Sequence, residues 1–213
     1  MFAKVYDLLM SDVDYEQIYD FLKPYLKPYN FILDAGCGSG YLLLELLKNK
    51  HHAIGIDLSS EMLAIAREKL RENQVSAMLY EHDLRVPMAA EFDLILAMFD
   101  VINYFKGAKQ VLKNFYHALD DQGVLIFDVY KVEEILTYHQ YQEKEIDPIS
   151  YMWTIDVQLP VVKHHVEVDG HIDIIKQYVY PLTYYLEILN DLGFKSKVLM
   201  GPDTRKHYIV AQK

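Results

Sequence analysis

The chain has very little cysteine. Its 213 residues include one, Cys37. A single cysteine excludes an internal disulfide and fits a reducing compartment such as the cytoplasm. A metal site built on cysteine pairs would need a second thiol nearby in the sequence, so we expect no bound metal.

Long apolar runs and clusters of basic residues are also missing. No stretch of 18 apolar residues occurs, so we expect no membrane-spanning segment. Residues 1–10, MFAKVYDLLM, carry an acid and lack the basic start and long apolar core of a signal peptide. The formal net charge is -10, and no run of lysine or arginine offsets it. Such a surface repels phosphate backbones, so we expect no nucleic-acid partner.

Hydrophobic residues, by contrast, are plentiful. They make up 52% of the chain, and tyrosine alone occurs 18 times. This length and composition suit one α/β domain with a modest insertion. Some tyrosines are expected to line a partly wet pocket, because the side chain has an apolar face and a polar tip.

The most informative stretch is residues 31–40, FILDAGCGSG. An apolar run is followed by Asp34 and by glycines at alternate positions, Gly36, Gly38 and Gly40. A helical segment starts at once with Tyr41. An apolar strand, a glycine turn and a helix are typical of the start of a doubly wound α/β domain, where ligands bind at the carboxyl end of the strand.

The spacing of the glycines separates two interpretations. A dinucleotide fingerprint requires a glycine where this chain has Tyr41 or Leu43, which disfavours an NAD-dependent oxidoreductase. The string D-x-G-x-G-x-G is matched in full. It is the first motif of the class I, Rossmann-like S-adenosylmethionine-dependent methyltransferases, which the chain resembles here. An ordinary glycine turn in a protein that binds no nucleotide is the alternative.

Apolar periodicity predicts alternating strands and helices beyond this turn. We expect an α/β fold with a doubly wound, mostly parallel seven-stranded sheet, helices on both faces and a small antiparallel β insertion near residues 150–180. The chain is expected to form a single domain with an N-terminal helical segment (1–30), a ligand-binding core (31–130), the insertion, and a closing helix with two strands (181–213). Three strands are expected in the insertion, at 151–157, 161–168 and 172–180, with Asp169-Gly170 as a hairpin turn.

Acids at strand ends are the next candidates for binding. Asp57 closes the second predicted strand, where it could accept hydrogen bonds from both hydroxyls of a ribose. Asp83 closes the third, where it could bind the amine of an adenine, with Leu84 offering a backbone amide. Leu58 and Met62 could cover the faces of that ring, although apolar residues at such positions are as often simple core.

The segment after the fourth strand lies at the expected switch point of the sheet. Backbone groups of Met98, Phe99 and Asp100 could hold an amino acid moiety, and Asp100 could pair with its ammonium group. Asn103 and Tyr104 would then face the reacting group. The alternative is a helix cap at Asp100 followed by core aromatics.

These landmarks occur in the order found in class I methyltransferases. The chain is most similar to small bacterial enzymes of that class presumed to act on small molecules, sharing with them Tyr6-Asp7-x-x-Met10, Phe99–Tyr104 and Phe127–Val129. The resemblance implies S-adenosyl-L-methionine as cofactor, with Tyr6 closing over it. The residues expected to bind it are Tyr6, Asp34, Ala35, Gly36, Cys37, Gly38, Gly40, Asp57, Leu58, Met62, Asp83, Leu84, Met98, Phe99 and Asp100.

Two signatures of other methyltransferases are missing. No Asn/Asp-Pro-Pro-Tyr follows the fourth strand, which weighs against methylation of DNA bases or protein glutamine, and no Pro-Cys dipeptide exists for attack on a pyrimidine carbon. The resemblance therefore implies in-line transfer of a methyl group to a small molecule. A cofactor-binding protein without turnover is the alternative.

The acceptor site is less well defined by the sequence. Tyr6, Asp100 and Tyr130 are the catalytic candidates, without a choice of base among them. Asn103, Tyr104, Tyr151 and Trp153 are expected to line the acceptor pocket. The insertion is interpreted as a flap over the site, or alternatively as a sheet edge for a homodimer. The nine histidines, His164 and His165 included, are interpreted as solvated surface residues.

Overall fold

The computed structural model describes residues 2–10, 12–28, 30–146 and 149–213. Its helices are α1 (Phe2–Leu9), α2 (Tyr15–Leu22), α3 (Tyr41–Lys48), α4 (Ser60–Glu72), α5 (Lys109–Ala118), α6 (Val132–Leu136) and α7 (Leu182–Leu192). Short 3₁₀ turns cover Lys23–Tyr25 and Val101–Tyr104. None of the helices within these residues is long and apolar enough to cross a membrane.

The strands form two sheets. The larger one contains β1 (Phe31–Ala35), β2 (His52–Asp57), β3 (Leu79–Glu81), β4 (Phe92–Ala97), β5 (Leu119–Tyr130), β10 (Lys195–Leu199) and β11 (Lys206–Gln212). The smaller one contains β6 (Tyr141–Glu145), β7 (Tyr151–Gln158), β8 (Val161–Val168) and β9 (His171–Tyr178).

The larger sheet has the strand order β10-β11-β5-β4-β1-β2-β3. Its pairings are parallel except for those of β11, which is antiparallel to both β5 and β10. The doubly wound, mostly parallel seven-stranded sheet is therefore confirmed. Because β1 pairs with β2 on one side and β4 on the other, the switch point lies at the carboxyl end of β1.

Helices cover both faces of this sheet. Side chains of α5 and α7 pack on one face around Phe115 and Tyr185. Side chains of α2 and α3 pack on the other around Leu22 and Leu43. Burial on both faces explains why the central strands are continuous apolar runs rather than alternating ones.

Helix ends follow the capping residues in the sequence. Asp14 accepts a hydrogen bond from the Gln17 N–H at the start of α2, and Ser59 does the same for Met62 at the start of α4. Gly193 ends α7 in the left-handed conformation, as its place after an apolar run predicts.

The inserted sheet has one strand more than predicted. Strands β7, β8 and β9 lie close to the expected ranges, and the turn at Asp169-Gly170 has two positive φ angles, 51° and 76°. The fourth strand, β6, pairs antiparallel with β7. Its sequence, YQEKE, is mostly charged or amidic, so it lacks the β-branched and apolar pattern that predicts a strand.

Candidate active site

A cleft of about 600 Å³ lies at the carboxyl edge of the larger sheet. Loops after β1, β2, β3 and β4 form its floor, α1 covers it, and β9 of the insertion forms one wall. It is lined by Tyr6, Gly36, Gly38, Asp57, Leu58, Ser59, Glu61, Met62, His82, Asp83, Leu84, Arg85, Met98, Phe99, Val101, Tyr104, Phe105, Asp173, Ile174 and Ile175.

The glycine turn after β1 requires glycine at the two positions that face the cleft. Gly36 has φ +74°, and a Cβ placed there would lie 2.7 Å from Cγ2 of Val101. Gly38 has φ +51°, and Tyr6 lies over it, with its hydroxyl 3.5 Å from the position of a Cβ. Side chains at either position would therefore strain the backbone or fill the space beside it. Tyr6 thus lies over the glycine turn, and its closing over a cofactor stays a prediction.

Asp57 connects the glycine turn to the end of β2. Its carboxylate accepts a hydrogen bond from the Gly38 N–H at 2.9 Å and another from the Ser59 N–H at 2.8 Å. Each carboxylate oxygen has further acceptor capacity, and the residue lines the cleft. Asp57 thus holds the loop in shape and still presents an anionic edge to a ligand.

Several members of the glycine motif lie behind the cleft. Asp34, Ala35, Cys37 and Gly40 are buried and do not line it. Burial, with a smaller effect of Asp57, raises the pKa of Asp34 from 3.8 to about 7. Its Oδ2 atom is buried and lacks a hydrogen-bond partner among the described residues.

The other end of the cleft holds the residues predicted to surround an adenine. Leu58, Met62 and Leu84 line it together with Asp83. Asp83 is already paired with Arg85, whose Nη2 lies 2.6 Å from Oδ2. Hydrogen bonds from Arg85 lower the pKa of Asp83 to about 2, so the carboxylate is ionised across the neutral pH range.

The segment after β4 is held in an unusual conformation by Asp128. Phe99 and Asp100 have φ of 63° and 56°, a region that non-glycine residues rarely adopt. The Asp128 carboxylate accepts hydrogen bonds from both of their N–H groups. Met98 and Phe99 line the cleft, whereas Asp100 does not.

Asp100 points into a buried polar cluster instead. Its Oδ1 lies 2.6 Å from Nζ of Lys206, and its Oδ2 accepts a hydrogen bond at 2.5 Å from Nε2 of Gln177. Gln177 in turn accepts from His164 at 3.0 Å, and Trp153 donates to the other ring nitrogen of His164 at 3.3 Å. The predicted pairing of Asp100 with a ligand ammonium would therefore have to compete with Lys206.

A second, smaller cavity of about 100 Å³ lies beside this cluster. We call it the tyrosine cavity; its lining residues are Tyr6, Leu9, Met10, Phe99, Asp100, Tyr104, Tyr130, Trp153, His164, Val166, Ile175 and Gln177. Tyr6, Phe99, Tyr104 and Ile175 line the main cleft as well, so the two spaces adjoin. The structure thus brings together the catalytic candidates Tyr6, Asp100 and Tyr130 with the predicted acceptor residues Tyr104 and Trp153.

Two predicted acceptor residues lie outside both spaces. Asn103 is fully buried, donates to the Tyr178 carbonyl at 2.9 Å and accepts from the Tyr130 N–H at 3.2 Å. It joins the loop after β4 to the ends of β5 and β9. Tyr151 is buried against α1 and donates to Glu143 at 2.5 Å. Both side chains are satisfied within the fold and line neither space, so their contact with a substrate stays a prediction.

The sequence did not reveal the residues that complete the site. Lys206 and Gln177 lie 106 and 77 positions from their partner Asp100, so no local spacing rule joins them. Asp128 could have been found, because it stands near the carboxyl end of a strand, as Asp57 does. His164 is buried, contrary to the expected solvated position, while the neighbouring His165 lies on the outer face of the sheet.

Metal ligation has no candidate in the described part of the chain. Within it, no group of three or more histidine, cysteine, aspartate or glutamate side chains is arranged to hold an ion.

Comparison with known proteins identifies relatives. A family model described as "Methyltransferase domain" matches residues 32–123. A protein of Geobacillus sp. (strain WCH70) named "Putative methyltransferase" is 30% identical, over 91% of this chain and 87% of its own.

Solved structures with the same fold also match nearly the whole chain. An S-adenosylmethionine-dependent methyltransferase from Clostridium acetobutylicum ATCC 824 has a TM-score of 0.81 at 22% identity, covering 99% of this chain and 97% of its own. The sugar N-methyltransferase KedS8 from Streptoalloteichus sp. ATCC 53650 has a TM-score of 0.81 at 18% identity, covering 98% of this chain and 92% of its own.

Proposed function

The chain belongs to the class I S-adenosylmethionine-dependent methyltransferases, and we propose that it methylates a small-molecule acceptor by in-line displacement. The observation that carries the small-molecule proposal is the shape of the cleft. Tyr6 of α1 covers the glycine turn, and residues 173–175 of β9 form a wall, so the cleft of about 600 Å³ is bounded on these two sides. KedS8, named as acting on a sugar, has the same fold.

The residues of the cleft fit S-adenosyl-L-methionine. Gly36 and Gly38 expose backbone where a Cβ would strain or crowd the loop. Asp57 offers a carboxylate for ribose hydroxyls, and Leu58 and Met62 offer apolar surface for the adenine. Asp34, which lies behind the glycine turn, has a buried carboxyl oxygen without a partner among the described residues.

The protein's own contribution to transfer is positioning and exclusion of water. The cofactor supplies a methyl group on a positively charged sulfur, which is a good leaving group. Tyr6 and β9 shield the cleft, and we assign to them the exclusion of water. Phe99 and Tyr104 lie between the cleft and the tyrosine cavity, where an acceptor would be aligned with the methyl group.

We propose that the inserted sheet is a lid over this site. Its strand β9 contributes Ile175 to both spaces and Gln177 to the polar cluster, which supports the proposal. The alternative, a homodimer through the sheet edge, remains compatible with the edge strand β6.

The test measures conversion of S-adenosylmethionine to S-adenosylhomocysteine by mass spectrometry in the presence of pooled small-molecule acceptors. We expect turnover in the wild type and none in Gly38→Val, because the side chain meets a positive φ and the ring of Tyr6. Gly107→Ala is the matched control, since nothing lies within 4 Å of a Cβ placed there. Turnover only with a protein or nucleic acid as methyl acceptor would contradict the proposed acceptor class. Full turnover in Gly38→Val would contradict the assignment of the cleft as the cofactor site.

A further inference from the structure

The walls of the tyrosine cavity are unusually aromatic for so small a space. Rings of Phe99, Tyr104, Tyr130 and Trp153 line its volume of about 100 Å³. Aromatic faces carry a partial negative charge and attract cations within about 6 Å of the ring centre. Two of the rings already contact a cation of the protein. Nζ of Lys206 lies 4.8 Å from the ring centre of Tyr130 and 5.9 Å from that of Phe99.

The charges beside the cavity do not cancel. Lys206 lies 2.6 Å from Asp100 and 3.6 Å from Asp128, so one ammonium faces two carboxylates. Asp128 also accepts two backbone hydrogen bonds, which favour its ionised form. Burial raises the pKa of Asp128, and the Lys206 ammonium beside it opposes that rise. The ionised cluster has one negative charge in excess, with Asp100 at the cavity wall.

A base for deprotonating a hydroxyl is not available among the described residues that line the cavity. Nδ1 of His164 accepts a hydrogen bond from Trp153. The ring proton therefore lies on Nε2, which donates to Gln177. Both oxygens of Asp100 accept hydrogen bonds. Burial raises the pKa of the Tyr6 and Tyr130 phenols, and a tyrosine phenol is neutral near pH 7 in any case, so none of them can accept a proton. Without a base, the site suits an acceptor that attacks in its neutral form.

We propose that the tyrosine cavity is the acceptor site and that the acceptor is a small aliphatic amine. The inference rests on the proposed function. The amine gives its extra proton to water and reacts through its lone pair. The N–C bond forms, the S–C bond breaks with its electron pair left on sulfur, and the positive charge passes to the nitrogen. The aromatic walls and the excess negative charge then stabilise the methylammonium group.

A matched pair of probes tests the preference for a cation. Choline has a trimethylammonium group, and 3,3-dimethylbutan-1-ol has the same shape without the charge. Binding of each to the protein saturated with S-adenosylhomocysteine is measured by ligand-observed NMR. We expect choline to bind roughly tenfold more tightly, as partly desolvated cation–π contacts allow. Equal binding, tighter binding of the alcohol, or no binding of choline would overturn the proposal.

Two kinds of variant locate the preference within the cavity. Asp100→Asn removes the excess charge and is expected to abolish most of the preference for choline. Tyr104→Leu removes a ring face, whereas Tyr104→Phe keeps it, so only the phenylalanine variant should retain the preference. Tyr104 is 43% exposed, so its exchange tests the cavity even if Asp100→Asn fails to fold. Equal preference in the leucine and phenylalanine variants would contradict a role of the ring.

The two proposals fail in different ways. Absence of S-adenosylhomocysteine binding, measured by calorimetric titration before the probes are added, counts against the proposed function. Binding of S-adenosylhomocysteine without a preference for choline, or methylation of alcohols but not amines in a panel of paired compounds, counts against the amine acceptor alone.

Discussion

Two carboxylates at the carboxyl edge of the sheet accept hydrogen bonds from the backbone of the loops that form the site. Asp57 accepts from the N–H of Gly38, and Asp128 accepts from those of Phe99 and Asp100. Hydrogen bonds to charged acceptors each contribute about 1.5–3 kcal/mol. These acids therefore shape the backbone of the site as well as its charge.

Asp57→Ala tests this dual role. We expect the affinity for S-adenosylhomocysteine to fall by roughly 2–4 kcal/mol, because ribose contacts and the bond to Gly38 are lost together. Isothermal titration calorimetry measures the change. Asp20→Ala is the control, since Asp20 is an exposed acid paired only with Lys23 among the described residues. Unchanged affinity in a folded Asp57→Ala protein would remove this residue from the site.

The raised pKa of Asp34 predicts how the stability of the fold depends on pH. Its pKa rises from 3.8 to about 7 in the folded protein, so the folded state binds more protons than the unfolded state between these values. The free energy of unfolding should therefore fall as pH rises through this window, by on the order of 4 kcal/mol in total.

Asp34→Asn cannot ionise, so its free energy of unfolding should fall less between pH 4 and 7 than that of the wild type. Urea unfolding at intervals of one pH unit measures both profiles. The exposed Asp20→Asn variant should follow the wild type. Parallel profiles for Asp34→Asn and the wild type would show that Asp34 titrates normally.

Single residues were predictable from the sequence where a strand end marked them. Asp57 and Asp83 were found because each closes an apolar run, and the structure places both in the cleft. Lys206 was not, because it stands at the start of β11 and meets Asp100 only when the sheet is assembled. Contacts across such distances depend on strand order, which local pattern does not define.

At the level of elements, one lysine links α1 to the glycine turn and to the start of α3. Nζ of Lys69 lies 2.9 Å from Oδ2 of Asp7, 3.1 Å from Oγ of Ser39 and 3.0 Å from the centre of the Tyr41 ring. Asp7 follows Tyr6 in α1, so this contact holds the tyrosine over Gly38.

Lys69→Ala should loosen α1 without disturbing the sheet. We expect faster amide hydrogen exchange in residues 2–9 and a roughly fivefold weaker affinity for S-adenosylhomocysteine, corresponding to about 1 kcal/mol for a partly exposed ion pair. Lys113→Ala, an exposed lysine of α5, is the control. If exchange in α1 and affinity both stay at the wild-type level, Lys69 does not hold the helix.

Elements were predicted well where apolar periodicity was strong. The order of strands and helices from β1 to β5 matches the prediction, because burial on both faces imposes long apolar runs. Strand β6 was missed because its side chains are mostly charged or amidic, and its pairing with β7 comes from the backbone. The expected N-terminal helical segment (1–30) contains α1 and α2, and α2 is followed by a 3₁₀ turn that contains Pro24.

At the scale of the whole molecule, one edge of the larger sheet collects the site. The loops after four parallel strands, the N-terminal helix and the inserted sheet all meet there, as the position of the switch point requires. The formal net charge of -10 disfavours a polyanionic partner.

The most direct test of the account is calorimetric titration of the protein with S-adenosylhomocysteine and, separately, with NAD. We predict saturable binding of S-adenosylhomocysteine at one site per chain. No binding of NAD is expected, because Tyr41 stands where a dinucleotide fingerprint requires glycine. Saturable binding of NAD, or no binding of S-adenosylhomocysteine, would contradict the assignment of the cleft.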